Sequence, residues 1–188
     1  MQTLQFKIQI KHLQDPPVWR RVLVPADITF DDLHYIIQIV FGWENCHLYQ
    51  FSEKGYSSKT FYKVPDEYDD DTVEDSTETI ITEVFTKPKQ KFTYIYDFGD
   101  DWKHDIVLEK IVDTENAIPV CLTGEGACPP EDCGGIPGYY NLIEVLSDPK
   151  NPEYKEMKSW LGLGKNEQWD VNAFDITAIN EELKESYT

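Results

Sequence analysis

Residues 4–11 alternate without a break. Leu4, Phe6, Ile8 and Ile10 point one way, and Gln5, Lys7, Gln9 and Lys11 the other. A period of two marks a half-buried strand. Asp15-Pro16-Pro17 ends it, because proline has no amide hydrogen to give to a ladder. Val18 to Val24 predicts a second strand, closed by Pro25. The period then lengthens. Leu33, Ile36, Ile37, Val40 and Phe41 form one stripe and predict a helix over 29–41. Thr29 with Asp32 makes a capping-box-like start, and Gly42 stands where helices stop.

Leu48–Phe51 and Lys59–Tyr62 predict short strands around Gly55, and Ile80–Phe85 one or two helical turns. Lys91 to Ile111 predicts a hairpin. Phe92, Tyr94, Tyr96 and Phe98 share one face of its first strand; Trp102, His104, Ile106 and Leu108 share one face of the second. Gly99-Asp100-Asp101 supplies the turn. The last third is helical. Gly138–Leu146 stops before Asp148-Pro149, since a residue ahead of proline avoids helical backbone. Asn151-Pro152 opens a helix carrying Tyr154, Met157, Trp160 and Leu161, ended by Gly162. Asp175 starts another through Ile179 and Leu183. Strands first and helices last give an α+β class. The expectation is a single domain over 1–188: a mainly antiparallel sheet, one helix after the second strand and a helical C-terminal third.

Composition narrows the function. The net charge is −18, from 17 basic and 35 acidic residues. Such a surface repels phosphate backbones, and the basic clusters are small: Arg20-Arg21 and Lys87-Pro-Lys89-Gln-Lys91. Nucleic-acid binding by this chain alone is not expected; a basic protein partner or a metal cation suits the charge better. Residues 66–78 hold eight acids and no base, which reads first as a solvated loop and second as a surface for a cationic partner. No run is long and apolar enough for a membrane helix, and the N-terminus lacks the pattern of a signal peptide. The expected location is the cytoplasm, with no membrane association. Four cysteines are too few for a disulfide scaffold.

Four segments could carry chemistry. The first is the loop Cys121–Gly135, with cysteines spaced C-x6-C and C-x4-C. Only the second spacing approaches that of zinc motifs. Pro129-Pro130 stiffens the loop, and Gly134-Gly135 allows a sharp exit. It would hold Cys128, Glu131, Asp132 and Cys133 close together. Its leading reading is a rigid lid with buried cysteines; a metal held by Cys121, Cys128 and Cys133 comes second, a reactive thiol third. The second segment is the hairpin tip, with Asp97, Asp100, Asp101, Trp102 and His104. Carboxylates beside an imidazole could bind a divalent cation or pair an acid with a base; turn-forming acids and a core-facing histidine are the plainer reading. The third is Trp43-Glu44-Asn45-Cys46-His47, where His47 matters if the fold brings it to the hairpin tip or the loop. His34, off the apolar stripe of its helix, could face the same cleft. The fourth is Trp19-Arg20-Arg21, whose arginines alternate onto opposite faces. Either could clamp an anion or pair with an acid. There is no phosphate-binding loop, nucleophile elbow, His-Glu-x-x-His or dinucleotide fingerprint. The Asp97-Phe98-Gly99 triplet has no kinase loops beside it.

These segments, in this order, resemble the plasmid pRiA4b ORF-3-like family. The matching pieces are Pro16-Pro-Val-Trp-Arg-Arg21, Leu33-His34, Gly42-Trp43, His47-Leu48, Tyr96-Asp-Phe-Gly-Asp-Asp-Trp-Lys-His104, and Cys128-Pro-Pro-Glu-Asp-Cys-Gly-Gly135 followed by Gly138-Tyr139. The resemblance covers about residues 4 to 183. It implies a compact α+β fold found on plasmids, mobile elements and chromosomes. Some relatives carry a label of insertion-element passenger, resolvase-like protein, but this chain lacks a serine-nucleophile motif and a basic tail. Family members often carry histidines in the stretch matching 148–154, where this chain has none.

Three readings follow, in rank order. The first is a non-catalytic binding or accessory module with a protein partner. The second is a metal-binding protein, or metal-dependent hydrolase, with a Cys/His/Asp cleft taking a divalent ion. The third is a thiol redox protein. The hairpin tip and the cysteine loop are expected to share one cleft, because Trp102 and Tyr139 need something to pack against.

Overall fold

The computed structural model describes residues 1–115 and 118–187. In chain order the elements are β1 (Gln2–Ile10), β2 (Trp19–Pro25), α1 (Phe30–Phe41), β3 (Tyr49–Ser52), β4 (Phe61–Lys63), β5 (Val73–Asp75), β6 (Lys91–Tyr96), β7 (Trp102–Asp113), β8 (Val120–Glu125), α2 (Gly135–Ser147), α3 (Tyr154–Trp160) and α4 (Ile176–Ser186). Single 3₁₀ turns lie at Gly55–Ser57 and Ile81–Glu83. The strands make one sheet in the order β5-β4-β3-β6-β7-β1-β2-β8. Every pairing is antiparallel except β4 with β5. The α+β expectation, with α1 following β2, holds.

The alternation in β1 has its predicted consequence. Leu4, Phe6, Ile8 and Ile10 are fully buried and pack with Phe30, Leu33, Ile36, Ile37 and Val40 of α1 in one core. Both halves of the capping box form. Thr29 Oγ1 accepts from the Asp32 amide at 3.1 Å, and Asp32 Oδ2 accepts from the Thr29 amide at 2.9 Å. Gly42 closes the helix at φ 80°. Thr29→Ala is expected to cost about 1 kcal/mol in urea denaturation. No loss would mean that the cap contributes nothing beyond what water supplies.

Five expectations need correction. Residues 120–125 are not loop: they form β8, because Val120, Cys121 and Thr123 find an open partner in β2. The new sheet edge is covered by α4, where the Asn180 side chain donates to Cys121 O at 2.9 Å and accepts from Cys121 N at 2.8 Å. An amide thus replaces the missing strand. The acidic run is not wholly loop either, since Val73 and its neighbours run parallel to β4. Lys63 meets Asp66 at 3.0 Å and Asp69 at 2.7 Å, which offsets part of that run's repulsion. Phe98 does not continue the face of Tyr94 and Tyr96. The strand ends at Tyr96, Asp97 turns to φ 52°, and Phe98 is 40% exposed. Finally, α2 starts at Gly135, three residues before the predicted 138, because Pro137 is tolerated in a first turn, and His34 is buried within the helix's apolar side rather than off it.

Candidate functional site

Three segments meet at one end of the sheet: the chain leaving α1 (43–48), the β6–β7 turn (97–101) and the loop 127–135. Their junction is built from hydrogen bonds. Trp43 Nε1 donates to Pro129 O at 3.0 Å, the Glu44 amide to Glu131 Oε1 at 2.8 Å, and the Gly134 amide to Asp100 Oδ2 at 3.0 Å. The Tyr96 hydroxyl accepts from the Cys46 amide at 3.1 Å and donates to Glu131 Oε1 at 2.9 Å. Two glycines permit the closure. A Cβ on Gly135, whose φ is +65°, would lie 2.6 Å from Asp100 O, and one on Gly138 would lie 1.8 Å from Cys133 O. The hairpin tip and the cysteine loop therefore share one site, as the sequence led us to expect.

The centre of the junction is His47. Its Nε2 lies 3.1 Å from Asp132 Oδ1, 3.7 Å from Asp97 Oδ2 and 3.9 Å from Glu131 Oε2. Among the described residues no hydrogen bond satisfies this nitrogen or Glu131 Oε2, although both atoms are shielded from solvent. His47, Asp97 and Asp132 offer donor atoms that all lie within 4.8 Å of one another, and so do Cys46, His47 and Glu131. The Asp97 side chain is only 10% exposed, whereas Asp132 is 71% exposed and leaves one side open. Asn45, Asp97, Asp101 and Asp132 all have positive φ, four of the six non-glycine residues that do so among the described residues. Asn and Asp tolerate this backbone better than other side chains, and such strain gathers where a structure holds groups in fixed directions. Burial pushes the Cys46 thiol up, against the effect of its contact with Tyr96, so it sits at the margin as a neutral thiol.

The other two sequence-flagged histidines belong to the core. His34 Nδ1 meets Tyr94 Oη at 2.8 Å, its Nε2 meets Asn45 Oδ1 at 2.6 Å, and its ring stacks on Tyr49 with centroids 3.7 Å apart. His104 is fully buried, with Nδ1 3.0 Å from Trp102 O. Burial lowers His34 to about 4 and His104 to about 3 from an ordinary 6.5. Folding therefore excludes protons that the unfolded chain binds. The associated stability is complete above about pH 6.5 and is lost as pH falls from there toward 4. Urea unfolding is expected to show a loss of about 1 kcal/mol per pH unit for each imidazole in that window. His104→Phe should flatten the slope; an unchanged slope would remove His104 as its cause.

The cysteines do not form the metal set expected of Cys121, Cys128 and Cys133. Cys121 lies on β8 facing the core, and none of the three belongs to a ligand-distance group among the described residues. The strand interrupts what the spacing presented as one loop. Nor do they have the depressed pKa that a reactive thiol requires. Burial raises all three, Cys133 to about 12, and at Cys128 it outweighs the nearby Arg20. The loop forms one wall of the junction, and its carboxylates Glu131 and Asp132 face His47.

The arginines do divide between the faces. Arg21 makes a bidentate pair with Glu109 at 2.7 and 3.0 Å. Arg20 is buried with no carboxylate and donates to the carbonyls of Val40, Trp19, Glu125 and Gly126 at 2.8–3.0 Å. Trp102 and Tyr139 are fully buried, and Tyr139 holds the loop by donating to Ala127 O at 2.8 Å. Asp101 pairs with Lys103 and accepts from Tyr56. Of the predicted cleft residues, His47, Asp97, Glu131 and Asp132 converge, Trp43 and Asp100 position them, and Arg20, Arg21, His34, Asp101, Trp102, His104 and Tyr139 serve elsewhere. Tyr96 and Cys46 were missed as site residues. Strand periodicity does not show a tyrosine at a strand's last position reaching across to another loop.

The family model described as plasmid pRiA4b ORF-3-like protein matches residues 2–178, which include every residue of this junction. The chain belongs to the pRiA4b ORF-3-like family. Among family relatives, an uncharacterized protein, y4hQ, of Sinorhizobium fredii is 34% identical over 182 residues, 95% of this chain and 89% of that protein. A crystal structure of a protein of unknown function, MM3350, from Methanosarcina mazei Go1 superposes with a TM-score of 0.78 at 32% identity. It matches 94% of this pRiA4b ORF-3-like chain and 96% of its own.

Proposed function

We propose that this protein binds a divalent metal ion at His47, Asp97 and Asp132, with Glu131 facing the same histidine nitrogen. The observation that carries the reading is His47 Nε2, an imidazole nitrogen with no hydrogen bond among the described residues that faces three carboxylates at 3.1–3.9 Å. Donors bound to zinc at about 2.1 Å in a tetrahedron stand roughly 3.4 Å apart; the distances from His47 Nε2 bracket that value, and the donor atoms of His47, Asp97 and Asp132 lie within 4.8 Å of one another. Charge supports it too. With a neutral imidazole the pocket holds three negative charges, and a dication offsets two of them. One imidazole among oxygen donors favours Zn²⁺, Mn²⁺ or Fe²⁺ over Ca²⁺. Such an ion would tie the chain after α1, the β6–β7 turn and the loop 127–135 to one another, and the exposed side at Asp132 would leave it reachable from solvent.

Calorimetric titration of EDTA-treated protein with Zn²⁺ and Mn²⁺ tests this. One site per chain is expected, lost in His47→Ala. Equal heat from the variant, or no binding by the wild type, would refute the reading and leave His47 as an ion-pairing residue.

A further inference from the structure

On the far side of Pro129-Pro130 the loop walls a groove of about 790 Å³ between the end of α1 and the C-terminal segment. Its apolar walls include Phe41, Pro129, Leu161, Phe174 and Ile179. Its charged lining is one-sided. Glu44, Asp175 and Glu182 stand at its exposed rim and Glu131 lines it from the loop, while the only basic lining residue, Arg20, is buried with its donors committed to backbone carbonyls. Asp175 is occupied in capping α4. Glu44 and Glu182 have no cationic partner among the described residues.

We infer that this groove docks a basic segment of a partner protein, one with apolar side chains between its lysines or arginines. The apolar walls bury the anchors, and Glu44 and Glu182 receive the cations. Charge decides between occupants. A second copy of this chain brings a net charge of −18 to an acidic rim, and nucleic acid or an anionic membrane brings phosphates to it. Only a basic partner gains at the rim and the walls together.

The groove shares Glu131 with the proposed metal site, so the proposal is tested in EDTA, where no ion is bound, with a short fluorescein-labelled Lys/Leu peptide and its Glu/Leu counterpart. Anisotropy is expected to show binding of the first and none of the second. An acidic protein attracts any polycation, so two double variants of equal charge change are compared. Glu44→Gln with Glu182→Gln should weaken binding about tenfold, and Glu67→Gln with Asp71→Asn in the acidic run should leave it unchanged. Equal weakening by both pairs would show attraction by net charge alone and overturn the proposal, as would equal binding of the Glu/Leu peptide. All four residues are exposed, and circular dichroism checks that each variant keeps the wild-type fold.

Discussion

With saturating Zn²⁺ the wild-type chain is expected to melt roughly 5–10 °C above its metal-free form, and Asp132→Asn is expected to lose that gain while matching or exceeding the wild type in EDTA. The crossing follows from the electrostatics of the junction. Without an ion, Asp97, Glu131 and Asp132 crowd around a single imidazole, so neutralising one carboxylate relieves repulsion. With an ion, the same change removes a ligand. Ligand at a hundred times its dissociation constant stabilises the fold by about 2.7 kcal/mol, and a domain of this size gains a few degrees for each kcal/mol. Asp132 is the informative position because it is largely exposed and its carboxylate holds no backbone amide among the described residues. Asp97 and Glu131 hold the Gly99 and Glu44 amides, so changing them would mix ligand loss with loop disruption. Scanning calorimetry with Zn²⁺ and with EDTA checks both arms. A variant that melts below the wild type by the same margin in both solutions would show a structural role for Asp132 and no metal.

The second large effect is expected at Arg20. Its guanidinium is buried, clasped by four carbonyls and flanked by the rings of Phe41 and Phe174 at 5.1 and 4.7 Å. Burial pulls its pKa down against the pull of the neighbouring thiols and Tyr139, so keeping the charge inside has a real cost. Arg20→Met removes that cost but orphans the carbonyls of Val40 and Gly126, whose bonds to the arginine are buried. Each orphaned acceptor costs about 1–3 kcal/mol, which puts the net loss near 3 kcal/mol in urea denaturation. Arg20→Lys should rescue little, because an ammonium cannot reproduce the planar fork that reaches β2, β8 and α1 together. Buried charges replaced by well-packed apolar groups sometimes raise stability. A methionine variant as stable as the wild type would place Arg20 in that class and remove it as the clamp joining α1 to the β2–β8 edge.

The elements were legible where one interaction dominated. The strict alternation of Leu4 to Ile10 could be buried in only one way, and the stripe from Leu33 to Phe41 came with its cap and its stop. The second strand pairing of β2 was hidden because Val120 to Glu125 is short and lies beside a cysteine pattern that suggests a ligand loop. The parallel pair β4–β5 was hidden because acids outnumber the one apolar residue, Val73, that marks it. For the site, the sequence singled out His47, Asp97, Glu131 and Asp132, which the fold brings together, yet gave equal weight to His34, His104 and three cysteines. Those residues differ in burial, which depends on the opposite wall and not on neighbours in the chain.

What the sequence determined by itself was the family, the α+β class, the amphipathic elements and the unusual acidity, all set by local pattern and composition. The tertiary structure decided which of the chemically able residues meet. His47, Asp97 and Asp132 are far apart in the chain, and their approach depends on Gly135 and Gly138 letting the loop close against the hairpin tip and on Tyr96 linking Cys46 to Glu131. Distances between side chains of remote segments are set by packing of the whole core, so no spacing along the chain could have singled out His47 and left the cysteines aside.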